Sequence, residues 1–189
     1  MLERAVLDAV MERLSTVSTV GWKGLTMKGV AAGAPTGRAA GCRRRPSKDG
    51  LVADALRAGL PRVDGAPELG SVRADLPALC RQARDAMYSR PGVALRVVIH
   101  ECDPSRAERF HGVIFEGVVE RMIELLCEVI VLGADSGEVH PDAAHGYVFD
   151  SVPAIMMYRS KMCTSELSDR DLEEMIDRPM VPLLRPDGP

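Results

Sequence analysis

This 189-residue sequence lacks the features of membrane and secreted proteins. No stretch approaches the ~20 consecutive apolar residues that a membrane-spanning helix needs. The N-terminus shows no charged start, apolar core and cleavage site. The five cysteines have no paired spacing of the kind that indicates a disulfide framework; they are Cys42, Cys80, Cys102, Cys127 and Cys163. These absences predict a reduced, cytoplasmic protein that does not span a membrane.

Catalytic and metal-binding motifs are also missing. The serines, histidines and aspartates form no recognisable nucleophile motif. His100, Glu101 and Cys102 carry metal-ligating atoms, but no paired ligand spacing repeats and the two-His helix motif of zinc proteases is absent. The sequence therefore predicts no enzyme, no catalytic residue, no metal ligand and no cofactor.

Charge is distributed unevenly along the chain. Residues 1–60 hold 10 Lys and Arg against 5 Asp and Glu, a net charge of +5, whereas the remainder carries −8. A basic region attracts nucleic acid and an acidic region is repelled by it. We therefore expect a nucleic-acid-binding end attached to a separate body.

The apolar pattern indicates an all-α protein of about nine helices, since no alternating strand pattern stands out. One helical face near the N-terminus repeats apolar residues at the α-helical period. Pro61, Gly65, Pro67 and Gly70 mark a connection, which divides the chain into domains 1–60 and 61–189. Further on, a long helix is predicted to stop at Gly133, and Ser168 with Asp171 has the spacing of a capping box. The N-terminal apolar face comprises Leu2, Val6, Val10, Leu14 and Val17.

Residues 25–52 have the pattern of two short helices joined by a tight turn and followed by a basic exit. Thr26 and Thr36 can each cap a helix, and Pro35 biases the residue before it away from helical angles. The run Arg43-Arg44-Arg45 comes next, before the chain restarts as a helix near Ser47. Short helices with clustered arginines indicate a helix-turn-helix placed against DNA phosphates.

This segment resembles the DNA-binding domain of the tetracycline-repressor (TetR) family of transcriptional regulators. A second resemblance, to the entry of the penultimate helix of such regulators, lies in Gly137-Glu138-Val139-His140-Pro141-Asp142 with Met157-Tyr158-Arg159 downstream. In the first segment, the residues that match at the family's spacing are Gly24-Leu25-Thr26-Met27, Val30-Ala31-Ala32, Ala34, Gly37-Arg38-Ala39, Arg43-Arg44, Pro46-Ser47-Lys48-Asp49 and Leu51-Val52.

The resemblance implies a three-helix DNA-binding domain of helix-turn-helix type, followed by a helical domain for effector binding and dimerisation. Arg and Lys are expected on phosphates, whereas Arg38, Thr36 and Ala39 are better placed for base edges. The predicted contacts with double-stranded operator DNA are Thr26, Lys28, Thr36, Gly37, Arg38, Ala39, Cys42, Arg43, Arg44 and Lys48.

The chain departs from the family pattern in the second short helix. Relatives usually have Gly at Pro35, a large residue at Gly41, Tyr at Cys42 and an aromatic residue at Arg45. A glycine inside a helix costs roughly 1 kcal/mol against Ala. An alternative therefore stays open: a helical ligand-binding or metal- or thiol-sensing protein with weakened or lost DNA binding, in which Cys102 with His100 or another cysteine would carry the sensing.

By the same resemblance, the protein is a homodimer that a small-molecule effector releases from DNA, most simply as a repressor. The last two long helices of the family pair across a two-fold axis. Dimer-interface residues are predicted there, at Ile155, Tyr158, Met162, Met175 and Ile176. Candidate effector-binding residues, chosen for their chemical character within the expected helices, are Met87, His100, Met122, Tyr147 and Met156.

Overall fold

Helices and their connections make up the whole of the chain that the structure, a computed structural model, describes. The described residues are 2–16, 21–33, 47–101, 104–162 and 166–185, and no strand occurs among them. The predicted all-α class is confirmed. The helices before residue 103 are α1 (Leu2–Ser15), α2 (Gly21–Gly24), α3 (Met27–Gly33), α4 (Lys48–Gly59), α5 (Val72–Tyr88) and α6 (Arg90–Glu101).

The later helices include two π-helical turns. α7 (Pro104–Ile114) continues through a π-helical turn (Phe115–Val119) into α8 (Glu120–Asp135). A 3-10 turn (Pro141–Ala143) precedes α9 (Gly146–Met162). The last described segment comprises α10 (Asp169–Met175), a second π-helical turn (Ile176–Met180) and α11 (Val181–Leu184). Among the described residues, no helix combines the length and the apolar character that a membrane span requires.

The chain divides into two compact units. The first unit contains Met1–Pro61 and Met87–Val118, and the second contains Arg62–Ala86 and Val119–Pro189. The first unit thus includes α6 and α7, because α1 packs against α6 and α4 packs against α7. The boundary at residue 60 between a DNA-binding and an effector domain stays a prediction.

The interior of the first unit follows the predicted apolar face of α1. Val6, Val10 and Leu14 are buried there, as predicted, among residues of α4, α6 and α7. The side chain of Leu2 and the whole of Val17 lie outside the described residues. Burial of this face supplies most of what holds a short helix in place, because helices of this length are marginal alone.

The long helix of the second unit, α8, ends later than the sequence predicted. α8 runs past Gly133 to Asp135, and the chain reverses at Gly137, which has φ +80°. The amide of Glu138 donates to the carbonyl of Gly133 at 2.8 Å, and the amide of Gly137 donates to that of Ala134 at 3.1 Å. These two bonds form a Schellman motif, in which Gly137 supplies the left-handed residue. The predicted stop at Gly133 is therefore wrong.

Gly133 instead provides close packing. A Cβ atom on this residue would lie 2.1 Å from Cγ2 of Val72 and 2.9 Å from Cγ2 of Val139. Those distances are below van der Waals contact, so only glycine allows α8 this approach. The glycine was correctly identified as special, but for a different physical reason.

The capping box before α10 is confirmed. The amide of Asp171 donates to Oγ of Ser168 at 3.2 Å, and the amide of Ser168 donates to Oδ2 of Asp171 at 2.9 Å. Nη2 of Arg159, near the end of α9, lies 2.8 Å from Oδ1 of Asp171. The box therefore also joins α9 to α10.

Candidate nucleic-acid interface

Helix α3 has the start that the sequence predicted. The amide of Gly29 donates to Oγ1 of Thr26 at 3.0 Å, so Thr26 caps the helix. Val30 is buried in the core of the first unit, whereas Thr26 and Lys28 are exposed. Helix α3 thus packs by one side and presents a polar side to solvent.

A further basic side chain lies beside this polar side. Nη1 of Arg13 is 3.5 Å from the position that a Cβ atom on Gly29 would take. Arg13 is exposed and stands in the last turn of α1. The sequence reasoning missed it because the contact depends on how α1 packs against α3. The available signal in the sequence was Arg13 itself, a basic residue near the end of the helix that precedes the two predicted short helices.

Helix α4 also starts where predicted, after a serine cap. The amide of Gly50 donates to Oγ of Ser47 at 3.1 Å. Residues 34–46, between the end of α3 at Gly33 and the cap residue Ser47, lie outside the described residues. The predicted contacts that lie outside the described residues, and so stay predictions, are Thr36, Gly37, Arg38, Ala39, Cys42, Arg43 and Arg44.

Lys48 is directed toward the protein. Its Nζ lies 4.1 Å from the centroid of the Trp22 ring and donates a hydrogen bond to the Trp22 carbonyl oxygen. The side chain is half-buried. These contacts would compete with a direct phosphate contact, and the DNA contact of Lys48 stays a prediction.

The predicted effector-binding residues differ in their surroundings. Met122 and Met156 are buried in the second unit, and Met87 is half-buried in the first. His100 belongs to α6, but its side chain lies outside the described part. Tyr147 is 86% exposed, because it lies on the face of α9 opposite the buried Val152 and Met156. Tyr147 as the wall of an internal pocket is therefore not supported.

The predicted dimer-interface residues fall into two groups. Tyr158 and Met162 are 64% and 62% exposed, and Ile155 is half-buried. Met175 and Ile176 are only 8% and 2% exposed. These two are corrected to core residues, because α10 and the turn after it direct them into the interior of the second unit.

An exposed apolar face of α9 is a better candidate for the dimer interface. At the helical period of 3.6 residues, Tyr147, Ala154 and Tyr158 share one side of the helix, and Met162 lies at its edge. All four are exposed. We call these residues the α9 face. The sequence alone did not identify Tyr147 and Ala154 because α9 is apolar on more than one side.

The described cysteines differ in their surroundings. Burial raises the pKa of the Cys80 thiol to about 12, which leaves it protonated and unreactive. Cys127 is half-buried, and Cys102, the first cysteine of the sensing alternative, lies outside the described residues. In the described ranges, no group of three or more His, Cys, Asp or Glu side chains could hold a metal ion.

Comparison with known proteins adds two findings. Residues 66–178 match the family model of the tetracyclin repressor-like C-terminal domain. An uncharacterized HTH-type transcriptional regulator of Mycobacterium tuberculosis is 27% identical over 168 residues, covering 87% of this chain and 80% of the relative. A regulator of the same description from Mycobacterium bovis has the same identity and coverage. The match to these relatives is longer than residues 66–178 and so extends beyond the part that the family model covers.

Proposed function

The chain belongs to the tetracycline-repressor family and is a DNA-binding transcriptional regulator, and on that premise we propose that it holds operator DNA as a homodimer until a small-molecule effector releases it. Repression is the simplest output of such a regulator. The observation that carries the DNA-binding part is the pair of capped helix starts at Thr26 and Ser47, which frame the arginine-rich segment.

The DNA-contacting surface would combine two kinds of contact. Thr26, Lys28 and the neighbouring Arg13 offer exposed polar groups at α1 and α3. Arg43 and Arg44 would add phosphate contacts, and Arg38 a base-edge contact in the major groove. The basic charge of residues 1–60 supports this assignment.

Dimerisation would use the α9 face. Tyrosine and methionine are enriched at protein interfaces, and a two-fold interface places the same patch on both copies. Two copies would present two DNA-binding ends, as a palindromic operator requires. The family match covers α9, which supports this part of the proposal.

Effector release would be a shift between two arrangements of the dimer. A small molecule that binds better to the arrangement unable to contact DNA must weaken operator binding, and operator must weaken its binding by the same factor. Met122 and Met156, which are buried in the second unit, remain candidate residues for this binding.

The DNA-binding proposal is tested with the double variant Arg43→Ala, Arg44→Ala. The probe is a labelled duplex carrying the DNA directly upstream of the chain's own coding sequence, and the measurement is fluorescence anisotropy between about 50 and 200 mM salt. In the homodimer this variant removes two phosphate contacts from each protomer, so affinity should fall and the slope of log affinity against log salt should decrease in magnitude by about 4.

The matched control is Arg57→Ala. Arg57 is exposed on α4 and is ion-paired to Asp54 at 3.3 Å, so it has the same charge without a predicted DNA contact. The control should retain the slope of the wild type. If the wild type forms no salt-sensitive complex, the DNA-binding proposal is replaced by the alternative of a ligand-binding protein without DNA binding. The departures from the family pattern at Pro35, Gly41 and Cys42 would then explain the loss of DNA binding.

A further inference from the structure

Trp22 is the single tryptophan of the sequence, and it contacts two other helices of the first unit, α4 and α7. It is buried within α2, and its ring centroid lies 5.6 Å from that of Phe110 on α7, with the two planes at 70°. This edge-to-face arrangement is a favourable aromatic contact that adds to the burial of both rings. Phe110 is itself fully buried, so a movement of α7 displaces the surroundings of Trp22.

The same tryptophan contacts the start of α4. Lys48 is the first residue of that helix, and it makes two contacts with Trp22: its ammonium group lies 4.1 Å from the ring and donates to the backbone carbonyl. A cation over an indole ring is attracted by the ring's negative face. Two different contacts therefore fix the first turn of α4 to one residue.

Helix α2 cannot keep its own position. It comprises four residues, Gly21–Gly24, and an isolated helix of that length is unstable in water. Contacts with neighbouring helices must therefore set where Trp22 lies. Phe110 provides such a contact from α7 and Lys48 from α4, so the position of either helix affects the other through this ring.

We propose that Trp22 is a positioning residue that passes the position of α7 to the start of α4, and hence to the arginine-rich segment immediately before it. The proposal rests on the proposed DNA-binding function, since operator affinity is the quantity that the positioning changes. It adds a specific route within the first unit, Phe110 to Trp22 to Lys48, by which a change at α7 alters the segment that contains Arg43-Arg44-Arg45.

The test is a double-mutant cycle between Phe110→Leu and Lys48→Met in the full-length protein, read as affinity for the upstream duplex. Phe110→Leu removes the ring contact with Trp22 and Lys48→Met removes both contacts of Lys48, and each should weaken binding about threefold to tenfold. Because both act through one residue, the double variant should lose little more than either single variant. If Phe110→Leu does not fold, Phe110→Met, whose unbranched side chain adapts to irregular space in a core, replaces it.

The salt slope separates positioning from direct contact. If Lys48 touched a phosphate, Lys48→Met would reduce the slope by about 2, one for each protomer of the dimer, and its loss of affinity would add to that of Phe110→Leu. A positioning role leaves the slope unchanged, and Lys48→Arg, which keeps the charge over the ring, should restore affinity. Val10→Ala, in the same core on α1, is the control and should change affinity less than twofold.

The fluorescence emission of Trp22 provides a second test of the proposal, because the sequence has a single tryptophan. Addition of the unlabelled upstream duplex to the wild type should change the intrinsic tryptophan emission, and Phe110→Leu should diminish that change. A wild type that binds the duplex with unaltered emission, or additive losses in the cycle, would overturn this inference and leave the proposed function intact. A wild type that binds no DNA would overturn both.

Discussion

The two units of this chain bury their apolar residues to different extents. In the first unit, α1 directs Val6, Val10 and Leu14 into a core with α4, α6 and α7, and α3 presents Thr26 and Lys28 to solvent. In the second unit, α9 buries Val148, Val152 and Met156 on one side but exposes large apolar side chains on another. The first unit thus offers polar contacts, and the second offers an apolar face.

That difference corresponds to two kinds of partner. DNA is bound mainly through charged and polar groups, whereas stable interfaces between identical subunits have an apolar centre. An apolar side that packs on nothing is costly to leave in water, by about 25 cal/mol per Å². The comparison therefore supports a DNA-contacting first unit and a self-associating second unit.

The largest expected effect is on dimerisation. Tyr158→Asp places a charge at the centre of the α9 face, and in a two-fold interface each substitution occurs twice. At about 2 kcal/mol for each central aromatic residue, the dimer should lose about 4 kcal/mol, roughly a thousandfold in dissociation constant. Analytical ultracentrifugation over a concentration series would measure this change.

Leu69→Asp is the control for that substitution. Leu69 is similarly exposed, at 61%, but precedes α5 and does not belong to the α9 face. It should leave the dimer intact. Equal effects of the two substitutions, or a wild type that sediments only as a monomer, would contradict the assignment of the α9 face.

The next effect tests the close packing within the second unit. Gly133→Ala would place a methyl group 2.1 Å from Cγ2 of Val72, a short branched side chain with little room to move. Overpacking of this kind costs about 1–3 kcal/mol, and we expect a value near the upper end. Urea denaturation followed by far-UV circular dichroism would measure the loss in the free energy of unfolding.

Gly146→Ala provides the matched control. Gly146 is the first residue of α9, and no atom lies within 4 Å of a Cβ placed there. The stability should stay within about 0.5 kcal/mol of the wild type or rise, because alanine favours the helix. A neutral Gly133→Ala would show that Val72 and Val139 can move apart.

These two glycines illustrate what the sequence could and could not predict. Local signals sufficed for the helix class, the caps at Thr26, Ser47 and Ser168, and the buried face of α1, because each depends on residues a few positions apart. The role of Gly133 depends on Val72, 61 positions earlier in the chain, so no local pattern could distinguish close packing from a helix stop.

The same limit applies to the candidate sites. Met175 and Ile176 have the apolar character of interface residues, and only the direction of their helix shows that they belong to the core. Lys48 follows a basic run and resembles a phosphate contact, but the ring that holds it lies 26 residues earlier, at Trp22. Residue type predicted the chemistry of these sites, whereas tertiary packing decided which side chains are available.

The smallest effect concerns the capping box and has a defined pH dependence. Hydrogen bonds from the hydroxyl and the amide of Ser168 are the main reason that the pKa of Asp171 lies below its usual 3.8, and Arg159 adds to the effect. A carboxyl group whose pKa is lower in the folded state stabilises the fold above the unfolded pKa. That contribution is lost as the pH falls through the lower, folded value. Ser168→Ala removes the principal cause, so it should destabilise the protein by about 1 kcal/mol near neutral pH.

The difference between Ser168→Ala and the wild type should therefore shrink as the pH falls below about 3.8, since protonated Asp171 gains less from the cap in either protein. Free energies of unfolding measured by urea denaturation between pH 2.5 and 7 would show this convergence, and the exposure of Asp171 to solvent keeps it small. The Thr26 cap in the first unit has no carboxylate partner in its hydrogen bond to Gly29, so Thr26→Ala should cost a similar amount at neutral pH but without the same convergence. A pH-independent difference for Ser168→Ala would mean that the serine acts as a simple cap and that its hydroxyl gains nothing from the charge of the Asp171 carboxylate.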